Sequence, residues 1–333
     1  MIHTGKDQLH SKFCFRGLYR VQGSISPTSS RLEGIWMQGR EGMLTDIMVN
    51  DALVNHPAWG GVSFSSLRAA EVSARIGEFA SRADILYKKS NFTADADTSA
   101  MPVNIIDVIK SRGLWCRRRP FLVALFGKDC YEHAEELVGD LTVTIANEYF
   151  LHEGGHYLGY DVDCKTADGY FKPAGSPAWM LIYLEELRAD LHAFGLAASL
   201  LNVDAAAAIF VYNVLLRLGV HVEGVQSRRE APYGAIPYLL FCVLRDVGVC
   251  ELVDGATAFH WPRTEVIQDW MGGCAEHATR HITVPEASAQ SPLDAALISA
   301  SYARARMQHD QRLSEFDAFI RTALTRLSGD SRY

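Results

Sequence analysis

The chain has 333 residues, 48% hydrophobic and 21% charged, with a formal net charge of −7. This is a globular composition, long enough for one or two domains. With basic residues dispersed apart from Arg117-Arg118-Arg119, it speaks against a nucleic-acid partner, and no window reaches about 18 uninterrupted apolar residues, so no membrane span is expected.

The N-terminal stretch "MIHTGKDQLHSKF" has no apolar segment of signal-peptide length. The seven cysteines are scattered and form no CxxC pair, which suits reduced thiols. The expectation is a cytoplasmic protein. The sequence leaves its oligomeric state open.

The predicted architecture is mainly α, with a minor mixed α/β N-terminal region. We place that region at residues 1–125 and a helical, metal-binding catalytic region at 126–333, the two being separate domains or one continuous domain. In the first region, "LRAAEVSARIGEFASRADILYKK" places Leu67, Val72, Ile76 and Phe79 near one face, which predicts a helix. The run "PFLVALFG" fits a buried strand or a short helix. From Tyr131 onward the reading is helical, through "YEHAEELVGDLTVTIANEYFLHEGGHYLG". A loop rich in Asp, Gly and Pro follows. Ser176-Pro177 suits the start of the next helix, "AWMLIYLEELRADLHAFGLAASLL". Further helices are predicted over "AAAAIFVYNVLLRLG", "YGAIPYLLFCVLRDVG", "LDAALISASYARARM" and "LSEFDAFIRTALTRL".

The stretch "EYFLHEGGHYLGYDV" carries the chemistry. His152 and His156 are four apart, so on a helix both can aim a ring nitrogen at one point. Glu153 follows the first histidine, where it can reach a metal-bound water. This is the HExxH logic of zinc hydrolases. Its intervening residues are Gly154 and Gly155, each costing about 1 kcal/mol against alanine inside a helix. Gly155 and Gly159 would form a side-chain-free ridge that lets another helix come close. The helix of "EELRAD" is the candidate. Glu186 and Asp190 are four apart there. One carboxylate can complete a metal site, and another one turn away can accept the second ring N–H of a ligand histidine. The competing reading of Glu185, Arg188 and Asp190 is a solvated stripe.

The pair of HExxH and ExxxD motifs resembles the gluzincin metallopeptidases. More narrowly, "EELRAD" is similar to the second motif of the dipeptidyl peptidase III family. The resemblance implies zinc held by His152, His156 and Glu186, with Glu153 as general base and Asp190 supporting a ligand histidine. "REAPYGAIPYLLFCVLRDVG" is similar to a later helix of that family. There the family carries a histidine that stabilises the transition state, and Tyr233 falls at about that place. The chain departs from that family in being shorter. It also has two residues, not three, between the glutamate and the second histidine of the first motif.

Other candidates are His221 as an oxyanion donor, Arg228 and Arg229 as partners of a substrate carboxylate, and Tyr149 as a pocket wall or a core residue. Tyr238 is a second phenol donor near Tyr233. Cys274, His277 and His281 share a helical face but lack an acid between the histidines, so they read as structural. His192 reads as packing. The residues together permit a zinc-dependent hydrolase acting on a peptide or amide bond of a short peptide or small molecule. The alternative is a metal-dependent lyase, isomerase or non-haem iron oxygenase, since two histidines and a carboxylate also bind Fe2+.

Overall fold

In the computed structural model, the described residues are 12–21, 24–37, 67–76, 85–87, 92–94, 104–155, 179–220, 232–283, 290, 292–309 and 311–330. Among them, those up to Gly113 form one unit and those from Leu114 onward a second.

The first unit is built on a six-stranded sheet. Its strands are β1 (Lys12–Val21), β2 (Ser24–Trp36), β3 (Leu67–Ile76), β4 (Ile85–Tyr87), β5 (Phe92–Ala94) and β6 (Asn104–Asp107), in the spatial order β4-β6-β3-β2-β1-β5. The β3–β6 pair is parallel and the others are antiparallel. The helix expected from Leu67 onward is therefore a strand. Ala70 and Val72 are buried while Glu71 and Ser73 are exposed, an alternation of period two. Pairing with β2 on one side and β6 on the other overrides the helical propensity of an alanine-rich segment. Asp107, buried at the end of β6, accepts the Lys110 N–H at 3.2 Å and so caps the first turn of α1 (Val108–Phe126). The run "PFLVALF" lies inside that helix.

The second unit is mainly α. Its helices are α2 (Lys128–Val138), α3 (Leu141–Gly155), α4 (Trp179–Leu200), α5 (Val203–Leu215), α6 (Pro232–Val247), α7 (Thr264–Ala278), α8 (Pro292–His309) and α9 (Arg312–Asp330). A short hairpin, β7 (Cys250–Val253) with β8 (Ala256–Phe259), lies between α6 and α7. The helices predicted over α4 to α6, α8 and α9 are present, and the fold is mainly α with a minor mixed N-terminal region. The long helix expected from Tyr131 is two helices. Gly139, at φ +62°, ends α2 in a conformation that favours glycine. Asp140 then caps α3 by accepting the Thr142 N–H at 2.9 Å.

Helix α4 is the centre of this unit, packing against α3, α5, α6, α7 and α8. It is buried almost all round, which suits its apolar stretches on either side of the charged segment Glu185–Asp190. Phe194 of α4 meets Phe210 of α5 edge-on, with ring centroids 4.8 Å apart. No described helix is long and apolar enough to cross a membrane.

Candidate metal centre

The α3–α4 contact accounts for Gly155. A Cβ added at Gly155 would lie 2.2 Å from the carbonyl oxygen of Ala189 and 3.0 Å from its Cα. The two backbones touch there, and only glycine fits. Ala189 sits between Arg188 and Asp190 in "EELRAD", so the close approach carries that motif against the end of α3. Gly159 lies outside the described residues.

That approach brings His152 of α3 between two carboxylates of α4. Its Nδ1 donates to Asp190 Oδ1 at 2.8 Å. Its Nε2 lies 3.3 Å from Glu186 Oε2. Asp190 is wholly buried and further held by α5 and the π-helical turn Leu216–Val220 that extends it. Asn213 Nδ2 donates to Asp190 Oδ1 at 3.0 Å and to Glu148 Oε1 at 2.7 Å. Arg217 donates from Nε to Oδ2 at 2.7 Å and from Nη2 to Oδ1 at 2.9 Å. Arg217 Nη2 also lies 3.5 Å from His152 Nδ1. The carboxylate contact is much the shorter, so Nδ1 carries the proton and Nε2 is the nitrogen left to bind.

The site selects among the sequence candidates. The structure brings His152, Glu186 and Asp190 together. Glu153 follows His152 on α3 and is half-buried. Glu185, Arg188 and Asp190 do not form a solvated stripe. All three are buried, and Arg188 is paired with Glu185 at 3.0 Å on a different side of α4 from Glu186 and Asp190. Tyr149 is buried, its ring centroid 5.5 Å from that of Phe150. Tyr238 donates to Asp317 at 2.6 Å. Cys274 is fully buried, His277 pairs with the Tyr302 hydroxyl at 2.7 Å and His281 is exposed. Those three do not form a convergent ligand group. His156, His221, Arg228 and the side chain of Tyr233 lie outside what is described.

Glu148, Asn213 and Arg217 were missed. Glu148 precedes His152 by one helical turn. Asn213 and Arg217 are themselves four apart in the apolar run "IFVYNVLLRLG". Two polar residues at that spacing in an otherwise apolar helix are the signal that could have found them.

Among the described residues, three buried or half-buried carboxylates, Glu148, Glu186 and Asp190, lie around one permanent cation, Arg217. Protons or a metal ion can balance such an excess of buried negative charge. Burial opposes charge on Asp190, but Arg217 and His152 outweigh it and hold the carboxyl below its usual range. Burial likewise opposes the imidazolium of His152, yet Asp190 and Glu186 raise its pKa well above the ordinary value. Burial raises Glu148 and so favours its neutral acid.

The donor set is compatible with a metal ion, and a tetrahedral zinc serves as a yardstick. Two ligand atoms of a tetrahedral zinc with bonds of about 2.0–2.1 Å lie roughly 3.3–3.4 Å apart. The 3.3 Å between His152 Nε2 and Glu186 Oε2 matches that and exceeds the ~2.7–2.9 Å of a charge-assisted hydrogen bond. Single atoms of Glu148, His152 and Asp190 also lie within 4.8 Å of one another. Arg217 already occupies Asp190, so a cation on that side would face a guanidinium.

No protein-family model matches the chain, and no curated protein does. Among solved structures it is similar to a dipeptidyl-peptidase III from Corallococcus sp. strain EGB, with 9% identity and a TM-score of 0.47 over 93% of this chain. The chain spans 60% of the length of that protein.

The two shifts give a pH dependence with a definite sign. The raised His152 contributes stability that is full below its ordinary 6.5 and lost as pH rises through its folded value. The depressed Asp190 contributes stability that is full above its ordinary 3.8 and lost as pH falls through its folded value. Metal-free protein should therefore melt at progressively lower temperature as pH rises above about 6.5. A metal ion held by His152 would reverse that trend, because it binds neutral histidine and displaces the proton. Melting curves from pH 5 to 9, with chelator and with zinc, check this. A metal-free melting temperature that rises with pH would contradict the charge assignment.

Proposed function

We infer that this protein is a zinc-dependent hydrolase acting on a peptide or amide bond of a short peptide or small molecule. The observation that carries the reading is the convergence of His152 Nε2 and Glu186 Oε2 at 3.3 Å, with the opposite ring nitrogen held by Asp190 at 2.8 Å. His152, Glu186 and His156, four residues after His152, would hold the metal. Bound there, zinc supplies a Lewis acid and lowers the pKa of a coordinated water toward about 7.

The chain's own residues do the rest. Asp190 keeps the His152 proton on Nδ1, so that Nε2 stays a lone-pair donor. Glu153, next to His152, takes a proton from the attacking water and delivers it to the leaving nitrogen. Tyr233 or His221 donates a hydrogen bond to the oxygen that gains charge as the carbonyl becomes tetrahedral. Arg228 pairs with a substrate carboxylate, and Tyr149 supports the pocket from α3.

Elemental analysis of purified wild type beside Glu186→Ala tests the reading. About one zinc per chain is expected in wild type, and a large loss in the variant. Iron in place of zinc, with oxygen consumed on turnover, would replace hydrolysis by oxygenase chemistry. Wild type that takes up no metal after reconstitution would end the proposal.

A further inference from the structure

His152 stands between two places where a cation could sit. On its Nε2 side is Glu186 Oε2, 3.3 Å away. On its Nδ1 side are Asp190 and Glu148, whose oxygens and a ring nitrogen of His152 lie within 4.8 Å of one another. Among the described residues the second place is the richer in carboxylates, two to one. Something must decide between them.

We propose that Arg217 is the positioning residue that decides which ring nitrogen of His152 meets the metal. Its guanidinium fills the Nδ1 side as the resident cation. It makes a two-pronged contact with Asp190, at 2.7 and 2.9 Å, and it is itself buried. A planar fork of this kind fixes the plane of the carboxylate as well as its charge. The carboxylate thus fixed presents Oδ1 to His152 Nδ1, which turns Nε2 toward Glu186. The same guanidinium comes within 4.0 Å of Glu186 Oε2, so it braces the ligand carboxylate and the orienting one together. Asn213, one turn before Arg217, joins Glu148 to Asp190. It thereby keeps the second carboxylate turned to an amide donor. Arg217 touches no reacting atom in this account. It acts through Asp190 on His152.

This inference rests on the zinc reading above. The test compares wild type, Arg217→Met and Arg217→Lys for zinc affinity, by competition with a chromogenic chelator. The visible spectrum of each Co2+-loaded protein reports the coordination. Arg217→Met should bind zinc roughly 10–100-fold more weakly, as expected for loss of an orienting partner. Its cobalt spectrum should change as the Nδ1 side becomes available. Arg217→Lys keeps the charge without the fork, so it should fall between the two and keep a spectrum closer to wild type. If Arg217→Met does not fold, Arg217→Lys decides alone, and a wild-type affinity and spectrum in it overturn the proposal. The same holds for Arg217→Met if it folds and matches wild type in both. In either case the zinc reading stands, because wild type still binds. A wild type that binds neither zinc nor cobalt overturns both.

Discussion

Replacing Gly155 by alanine is expected to lower the melting temperature and to weaken metal binding together, although it adds only one methyl group. The methyl carbon would stand 2.2 Å from the Ala189 oxygen and 2.9 Å from its carbonyl carbon. These are backbone atoms of a helix buried on nearly every side, so no side chain can swing away to make room. Overpacking in a close-packed core costs typically ~1–3 kcal/mol, and a backbone clash belongs at or above the upper end. That outweighs the roughly 1 kcal/mol that alanine gains over glycine in helix propensity. Relief requires α3 and α4 to separate, and α4 carries both Glu186 and Asp190. The 2.8 Å bond from His152 to Asp190 would lengthen with the separation. Gly272 is the control. It lies within α7 with nothing inside 4 Å of an added Cβ, so Gly272→Ala should be neutral or stabilising by up to about 1 kcal/mol. Thermal melts and zinc titrations of the two variants read the contrast. Equal behaviour of both would show that the α3–α4 contact yields more easily than its geometry implies.

The contact also shows what sequence could and could not reveal. Gly155, inside HExxH, was legible as a sign of close helix approach. So was "EELRAD" as the approaching segment, because both rest on helical spacing alone. Asp190 was legible as a partner for a histidine from its distance of four from Glu186, and its carboxylate lies 2.8 Å from His152 Nδ1. Arg217 and Asn213 were legible only as polar residues four apart in an apolar helix, not as neighbours of Asp190. They stand on α5 and its extension, and only the packing of α5 against α3 and α4 brings them to Asp190. The same kind of non-local effect defeated the helix expected at Leu67. Period two in "AAEVS" is carried at one position by an alanine, which reads as easily in a helix. The strand exists because β2 and β6 flank it, and no local pattern records its neighbours. The break at Gly139-Asp140 was legible in principle, since glycine followed by a capping acid is a helix stop and start. The helical pattern that continues on either side obscured it.

The largest catalytic effect is expected from Glu153→Gln. In the proposed reaction Glu153 moves a proton twice, from water to itself and then to the leaving nitrogen. Glutamine has nearly the same shape but cannot accept that proton. General acid–base catalysis of this kind contributes typically ~10²–10⁴-fold to rate, so turnover of any peptide or amide substrate should fall by about that factor. Metal content should stay at the wild-type level, because Glu153 is not among the ligands and is only half-buried. Thermal stability should hardly move for the same reason. The discriminating pattern is therefore activity lost with zinc and stability kept, the opposite of Glu186→Ala, where zinc is lost first. A structural metal site would show neither change in Glu153→Gln. If the variant turned over substrate at the wild-type rate with zinc bound, the base would lie elsewhere. The chemistry would then have to be one that does not pass a proton through the residue after His152.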